Sequence, residues 1–199
     1  MKCKTKNILF IFFIVVALPI FSKPTINEYT VEDFLFLHSR FKVRLKPIYE
    51  NKKRIDLITD WTNIIIKELW ETTEGGEVEF YFENERLEKI ITQHFGALGK
   101  RITTYYLLNE QLSFASERLY IYNRPMYYDT AMMIENNDTE AFDFDKSEIF
   151  NSMTCFENGK FITGLRIPVM PSIDGYSFQN EKQLRIEFDR LLQILNTTE

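Results

Sequence analysis

Cysteine and histidine are scarce here, with two of each in 199 residues. Cys3 lies ahead of an apolar leader, so Cys155 stands alone in the body of the chain and no internal disulfide can staple the fold. Cys155 sits where two related hairpins carry Tyr81 and Tyr106, and it reads as a small buried hydrophobe, not a reactive thiol. His38 and His94 are far apart, and no pair of histidines or cysteines has the spacing of a zinc site. No serine stands in the strand-to-helix elbow of a hydrolase nucleophile. The expectation is a chain with no metal and no cofactor, whose fold rests on its core.

Positive charge is the next shortage. The leader takes Lys2, Lys4 and Lys6 with it, which leaves 21 basic residues against 29 acidic ones and a net charge of −8. Neutralised phosphates supply most of the affinity for nucleic acid, so that class of partner is excluded. Long apolar runs are missing too, apart from Ile8–Phe21 behind the three lysines. At about fourteen residues the run falls short of the roughly 20 that span a bilayer and matches a secretory signal core. Residues 1–22 are therefore expected to be a signal peptide, with the mature chain starting near Lys23. An uncleaved anchor is the alternative reading. On the first reading the protein is periplasmic or extracellular, and it meets the membrane only through the leader.

What the remaining chain has in quantity is alternation. Val78, Phe80 and Phe82 alternate with Glu79, Tyr81 and Glu83, the period of two of a half-buried strand. Asn84 turns the chain back through Leu87–Thr92. A second copy runs up Ile102–Leu107, turns at Asn109 and returns through Leu112–Tyr122. A third turns at Asn158-Gly159, between Cys155-Phe156 and Lys160-Phe161. Asparagine tolerates the left-handed backbone of a tight hairpin, and Asn-Gly does so best. One hairpin alone is marginal, so the copies are expected to pair into one sheet.

Helical signals flank that sheet. Thr30-Val31-Glu32-Asp33 resembles a capping box, followed by Phe34, Leu35 and His38 on one face. Pro47 is expected to end any helix over Arg40–Lys46, with Glu50–Asp56 as a charged turn. Over Ile58–Thr72 the signals conflict. Trp61, Ile64, Ile65, Glu68 and Leu69 follow helical spacing, whereas Ile64-Ile65-Ile66 is a β-branched run that suits a strand, and the reading leans to helix at its start. Pro168 and Pro171 stop strand pairing, and Ser172–Gly175 is loop. Leu184, Phe188, Leu191, Leu192 and Leu195 then form the apolar stripe of a C-terminal amphipathic helix. The fold class is α+β over residues 23–199, a single domain. An antiparallel sheet of tandem hairpins is packed by an N-terminal helical segment and a C-terminal helix.

Few constellations carry chemistry. Gly96-Ala97-Leu98-Gly99-Lys100 has two residues between its glycines instead of four, and Arg101 where a phosphate loop needs Ser or Thr, so it reads as a hairpin connection. Asp129–Glu148 is an acidic insertion, with Asp129, Glu135, Asp138, Glu140, Asp143, Asp145 and Glu148 against Lys146. Asp138, Glu140, Asp143 and Asp145 are oxygen ligands of the kind calcium takes, without the spacing of an EF-hand, and a solvated loop is the plainer reading. Tyr120 and Tyr122 share a strand face, and Tyr127 and Tyr128 follow Pro125; they serve either as a ligand platform or as core under a helix. The candidate partner surface is thus Tyr120, Tyr122, Tyr127 and Tyr128 with Asp138, Asp143 and Asp145.

GGEVEFYF, FGALGK, YYLLNEQLSF, YNRPMYYD, NNDTEAFDFDKSE and CFENGKF, in that order, resemble a group of secreted bacterial proteins with repeated aromatic-Asn-Gly hairpins and no known activity. The likeness spans Gly75–Phe161, about half of the mature chain, and departs from it at Cys155. The single turn motif is also similar to the short hairpins of MORN-like and YD-like surface proteins. What the resemblance implies is a small exported antiparallel domain. The function expected is a non-catalytic binding protein whose partner is another protein or a cell-surface polymer. The alternative is a secreted hydrolase using acids of the 129–148 insertion.

Overall fold

A computed structural model of the chain describes residues 39–70, 72, 74–167 and 177–197. The leader, the helix expected over Thr30–His38 and the loop expected at Ser172–Gly175 lie outside these residues. Seven strands run β1 (Asn63–Leu69), β2 (Gly76–Glu83), β3 (Arg86–Gly96), β4 (Gly99–Leu108), β5 (Gln111–Ile121), β6 (Glu148–Glu157) and β7 (Lys160–Ile167). They pair in sequence order as one antiparallel sheet. Helix α1 (Lys42–Asp56) and helix α3 (Glu181–Asn196) cover opposite faces, and a short helix α2 (Thr130–Glu135) lies in the insertion between β5 and β6.

The three asparagine turns behave alike. Asn84-Glu85, Asn109-Glu110 and Asn158-Gly159 all have positive φ at both positions, between 49° and 68°. Such turns match the twist of the strands they join. Each is followed by a bulge at the same offset. The register passes from Phe82↔Leu87 to Tyr81↔Lys89, from Leu107↔Leu112 to Tyr106↔Phe114 and from Phe156↔Phe161 to Cys155↔Thr163. Glu88, Ser113 and Ile162 are the extra residues, and all three are buried. A bulge bends its strand and re-aims a side chain; here it serves α1. Arg54 of α1 pairs with Glu88, and Ile162 joins Leu45, Ile48, Tyr49 and Ile55 in the core beneath that helix.

Two sequence expectations fail in physically instructive ways. Pro47 lies inside α1 and does not end it, and Glu50–Asp56 forms the last turns of the helix instead of a charged turn. The proline faces solvent, and so does Val43, the residue whose carbonyl it deprives of a donor; Val43 is 88% exposed. The bond is lost on the solvent side of the helix, where it is least costly, while Leu45, Ile48, Tyr49 and Ile55 stay buried. The helix expected at the start of Ile58–Thr72 does not form: residues 58–62 are irregular and Asn63–Leu69 is a strand. The β-branched run Ile64-Ile65-Ile66 decides the matter by pairing with Tyr81, Phe80 and Glu79. Trp61, assigned to the helical stripe, packs edge-on to Tyr81 at 5.1 Å, with Lys89 Nζ 4.9 Å from its ring.

On the other face, Leu184, Phe188 and Leu191 bury against Val78, Phe80, Ile90, Tyr105, Leu107 and Ala115, as the sequence stripe predicts. Asn180 and Gln183 form a reciprocal capping box at the start of α3. At its other end Lys67 Nζ donates to the carbonyls of Ile194 and Thr197 at 2.8 and 2.7 Å, placing a cation at the negative pole of the helix.

Candidate functional site

The insertion is fastened to the end of the sheet by the tyrosines singled out above. Tyr120 stacks on Phe144 at 5.7 Å, and Lys100 Nζ lies 4.8 Å from the first ring and 5.0 Å from the second. Tyr122 meets Phe142 edge-on at 5.2 Å. Tyr128 donates to Asp138 at 3.3 Å, while Tyr127 stands apart and exposed. The acids are held by local partners. Asp138 accepts from Arg124 and from the amide of Thr139, Glu140 pairs with Lys146, Asp129 caps α2, and Asp143 accepts the amide of Asp145. The Thr139 amide, with Arg124 and Tyr128, holds Asp138 below the usual carboxylate range, and Lys146 does the same for Glu140. Neither is tuned as a general acid. Among the described residues no group of His, Cys, Asp and Glu is gathered to hold a metal ion.

A second set of polar residues escaped the sequence reading. The register places Thr92, Thr103, Glu117, Ser152 and Arg166 in one row across β3–β7, on the face beneath α3. All but Arg166 are buried, and Glu117 is 2% exposed. One Glu117 oxygen accepts the Gln179 amide at 3.1 Å; the other has no hydrogen-bond partner, and neither do the Thr92 and Thr103 hydroxyls. Burial raises the Glu117 carboxyl to about 7 against the pull of Gln179, Arg101 and Arg166. Nearby, burial pushes Glu187 up, but hydrogen bonds from His94 and Arg190 outweigh it and hold that carboxyl at about 2. The sequence clue was a charged residue at an inward position of a strand, with Ala115 and Leu119 two residues to either side on the same face.

Beyond Glu117 the row opens into a cleft of about 370 Å³ over β6 and β7, at the start of α3. Its lining includes the polar residues Ser152, Thr154, Arg166, Gln179 and Glu181 together with Phe161. Phe161 is 48% exposed and meets Phe156 edge-on. Gly164 forms part of the floor, where a Cβ would stand 3.1 Å from the Met153 carbonyl and 3.8 Å from the Phe161 ring. The cleft is mixed in charge, and the insertion's acids are not among its lining residues. Cys155 has no part in it: the thiol is buried under α1, 3.7 Å from the Tyr49 hydroxyl, and burial pushes it to about 12. His94 is likewise buried, 3.6 Å from Glu187. Gly96-Ala97-Leu98-Gly99 is the hairpin connection between β3 and β4.

The fold and site define an α+β meander sheet with a helix on each face. Comparison with protein-family models, with curated proteins and with solved structures finds no match.

Proposed function

We propose that this protein is an exported, non-catalytic binding module whose ligand is a hydroxyl-rich polymer of the cell surface. The observation that carries this reading is the composition of the cleft over β6 and β7. Ser152, Thr154, Gln179, Arg166 and Glu181 mix donors and acceptors beside the half-open ring of Phe161. An uncharged ligand with many hydroxyl groups uses both kinds of partner and lays its carbon-bound hydrogens on an aromatic ring. Export rests on the three lysines and the apolar run of the leader, and on the resemblance to secreted bacterial proteins. Binding is favoured over hydrolysis because the insertion's best-placed acids, Asp138 and Glu140, are paired and held ionised, while Glu117 is sealed beneath Gln179.

The test is co-sedimentation of the protein with the insoluble polysaccharide fraction of a bacterial envelope. Saturable binding is expected, at least about tenfold weaker for Phe161→Ala, whose exposed ring contributes little to the core. Failure of the wild type to sediment, or undiminished binding by Phe161→Ala, overturns the cleft as the site. Release of new reducing ends from the polymer overturns the non-catalytic reading.

A further inference from the structure

The edge of the sheet at β1 lacks the proline, the bulge and the shortness that keep strand edges apart, and its exposed charge, Glu68, stands near its end. Natural edges are blunted by charges, prolines, bulges or short length, because an open row of N–H and C=O groups templates another strand. Among the described residues β1 pairs only with β2, over seven residues and with no register shift. Its centre is three isoleucines. Lys67, its lysine, is turned to the α3 face and held by the carbonyls of Ile194 and Thr197, so its charge does not guard the edge. On the opposite face Ile64 is 43% exposed and Ile66 63% exposed, followed by the exposed Glu68 and by Trp70 at 79%. The far edge, β7, is bent against β6 by the bulge at Ile162 and carries two charges of one sign, Lys160 and Arg166.

We infer that β1 pairs antiparallel with β1 of a second copy of this chain, joining two seven-stranded sheets into one. An extended strand is the occupant that satisfies the open backbone row, and the side chains choose a copy of β1 itself. With the two-fold axis at Ile65, Ile64 lies opposite Ile66 of the second copy and Asn63 opposite Lys67, so no like charges meet. An axis at Lys67 would oppose two lysines. Pairing β1 on the β7 edge of another copy is head-to-tail and leaves the array open, whereas the two-fold pairing closes and buries both isoleucine edges. The cleft over β6 and β7 stays at the outer ends of such a dimer, and the inference does not rest on what that cleft binds.

Sedimentation equilibrium of the protein over about 1 to 100 µM is expected to show a dimer that dissociates on dilution. Ile64→Lys with Ile66→Lys weakens the association at least tenfold, with circular dichroism unchanged because both side chains are exposed. In the unmutated protein, hydrogen exchange of the Asn63–Leu69 amides slows as concentration rises, a readout that needs no variant. A monomer at the highest concentration overturns the inference. So does an association that the double variant retains in full, or exchange over β1 that ignores concentration.

Discussion

Gly159 and the two glutamates that occupy its place in the other hairpins expose the energetics of a single backbone angle. Glu85 and Glu110 hold φ of 65° and 62°, close to the 68° of Gly159, although they carry a Cβ. No atom lies within 4 Å of the Cβ that a substitution would add at Gly159. Any loss there is therefore backbone strain and not a clash. Gly159→Val is expected to destabilise the domain by about 1–3 kcal/mol, since a β-branched residue is poorly suited to that region. Gly159→Glu should lose less, because the same turn accepts glutamate twice elsewhere. Urea denaturation of the two variants checks the order, and equal midpoints would mean that the angle is not what constrains this turn.

At the scale of elements, α3 is core on one side and carries the cleft at its start. Phe188 and Leu191 are buried, and Leu192 packs half-buried against the same cluster. Truncating Phe188 alone removes about 3–5 kcal/mol, a large part of the 5–15 kcal/mol that stabilises a small domain. Phe188→Ala with Leu192→Ala is expected to leave little folded protein, seen as a lost or strongly lowered thermal transition. A double variant that melts like the wild type would mean that α3 docks elsewhere. The element scale is also where local reading of the sequence breaks down. The stripe of α3 was legible because its periodicity is contained in one segment. The strand state of β1 was not, because Trp61, Ile64 and Leu69 fit a helix until β2 lies alongside. Pro47 misled for the related reason that the carbonyl it leaves unmet, that of Val43, is on the solvent side of the helix, which depends on where α1 sits.

For the whole molecule, two carboxyls set opposite limbs of the pH dependence. Glu117 has its folded value near 7 against an ordinary 4.5, so between those values the folded state holds the extra proton and stability falls as pH rises. Glu187 has a folded value near 2, so its contribution is present above 4.5 and is lost as pH falls toward 2. From these two groups the melting temperature should peak near pH 4.5. Glu117→Gln is expected to flatten the neutral limb, worth about 1–3 kcal/mol between pH 4.5 and 7. Glu187→Gln flattens the acid limb instead. Thermal melts from pH 3 to 8 check both, and an unaltered neutral limb in Glu117→Gln would remove Glu117 as its cause.

The amino-acid sequence by itself determined three hairpins, their turns at Asn84, Asn109 and Asn158, and the C-terminal helix that packs on the sheet. Each rests on information held within a few consecutive residues, namely a positive φ, an alternation or a helical stripe. The tertiary structure alone decided that α1 runs through Pro47 and that Ile64-Ile65-Ile66 is an edge strand. It alone placed Thr92, Thr103, Glu117, Ser152 and Arg166 in a single row. Those residues come from five strands, and only the register between strands, set by the hairpins at Gly96–Gly99, Asn109 and Asn158 and by the pairing of β5 with β6, brings them side by side.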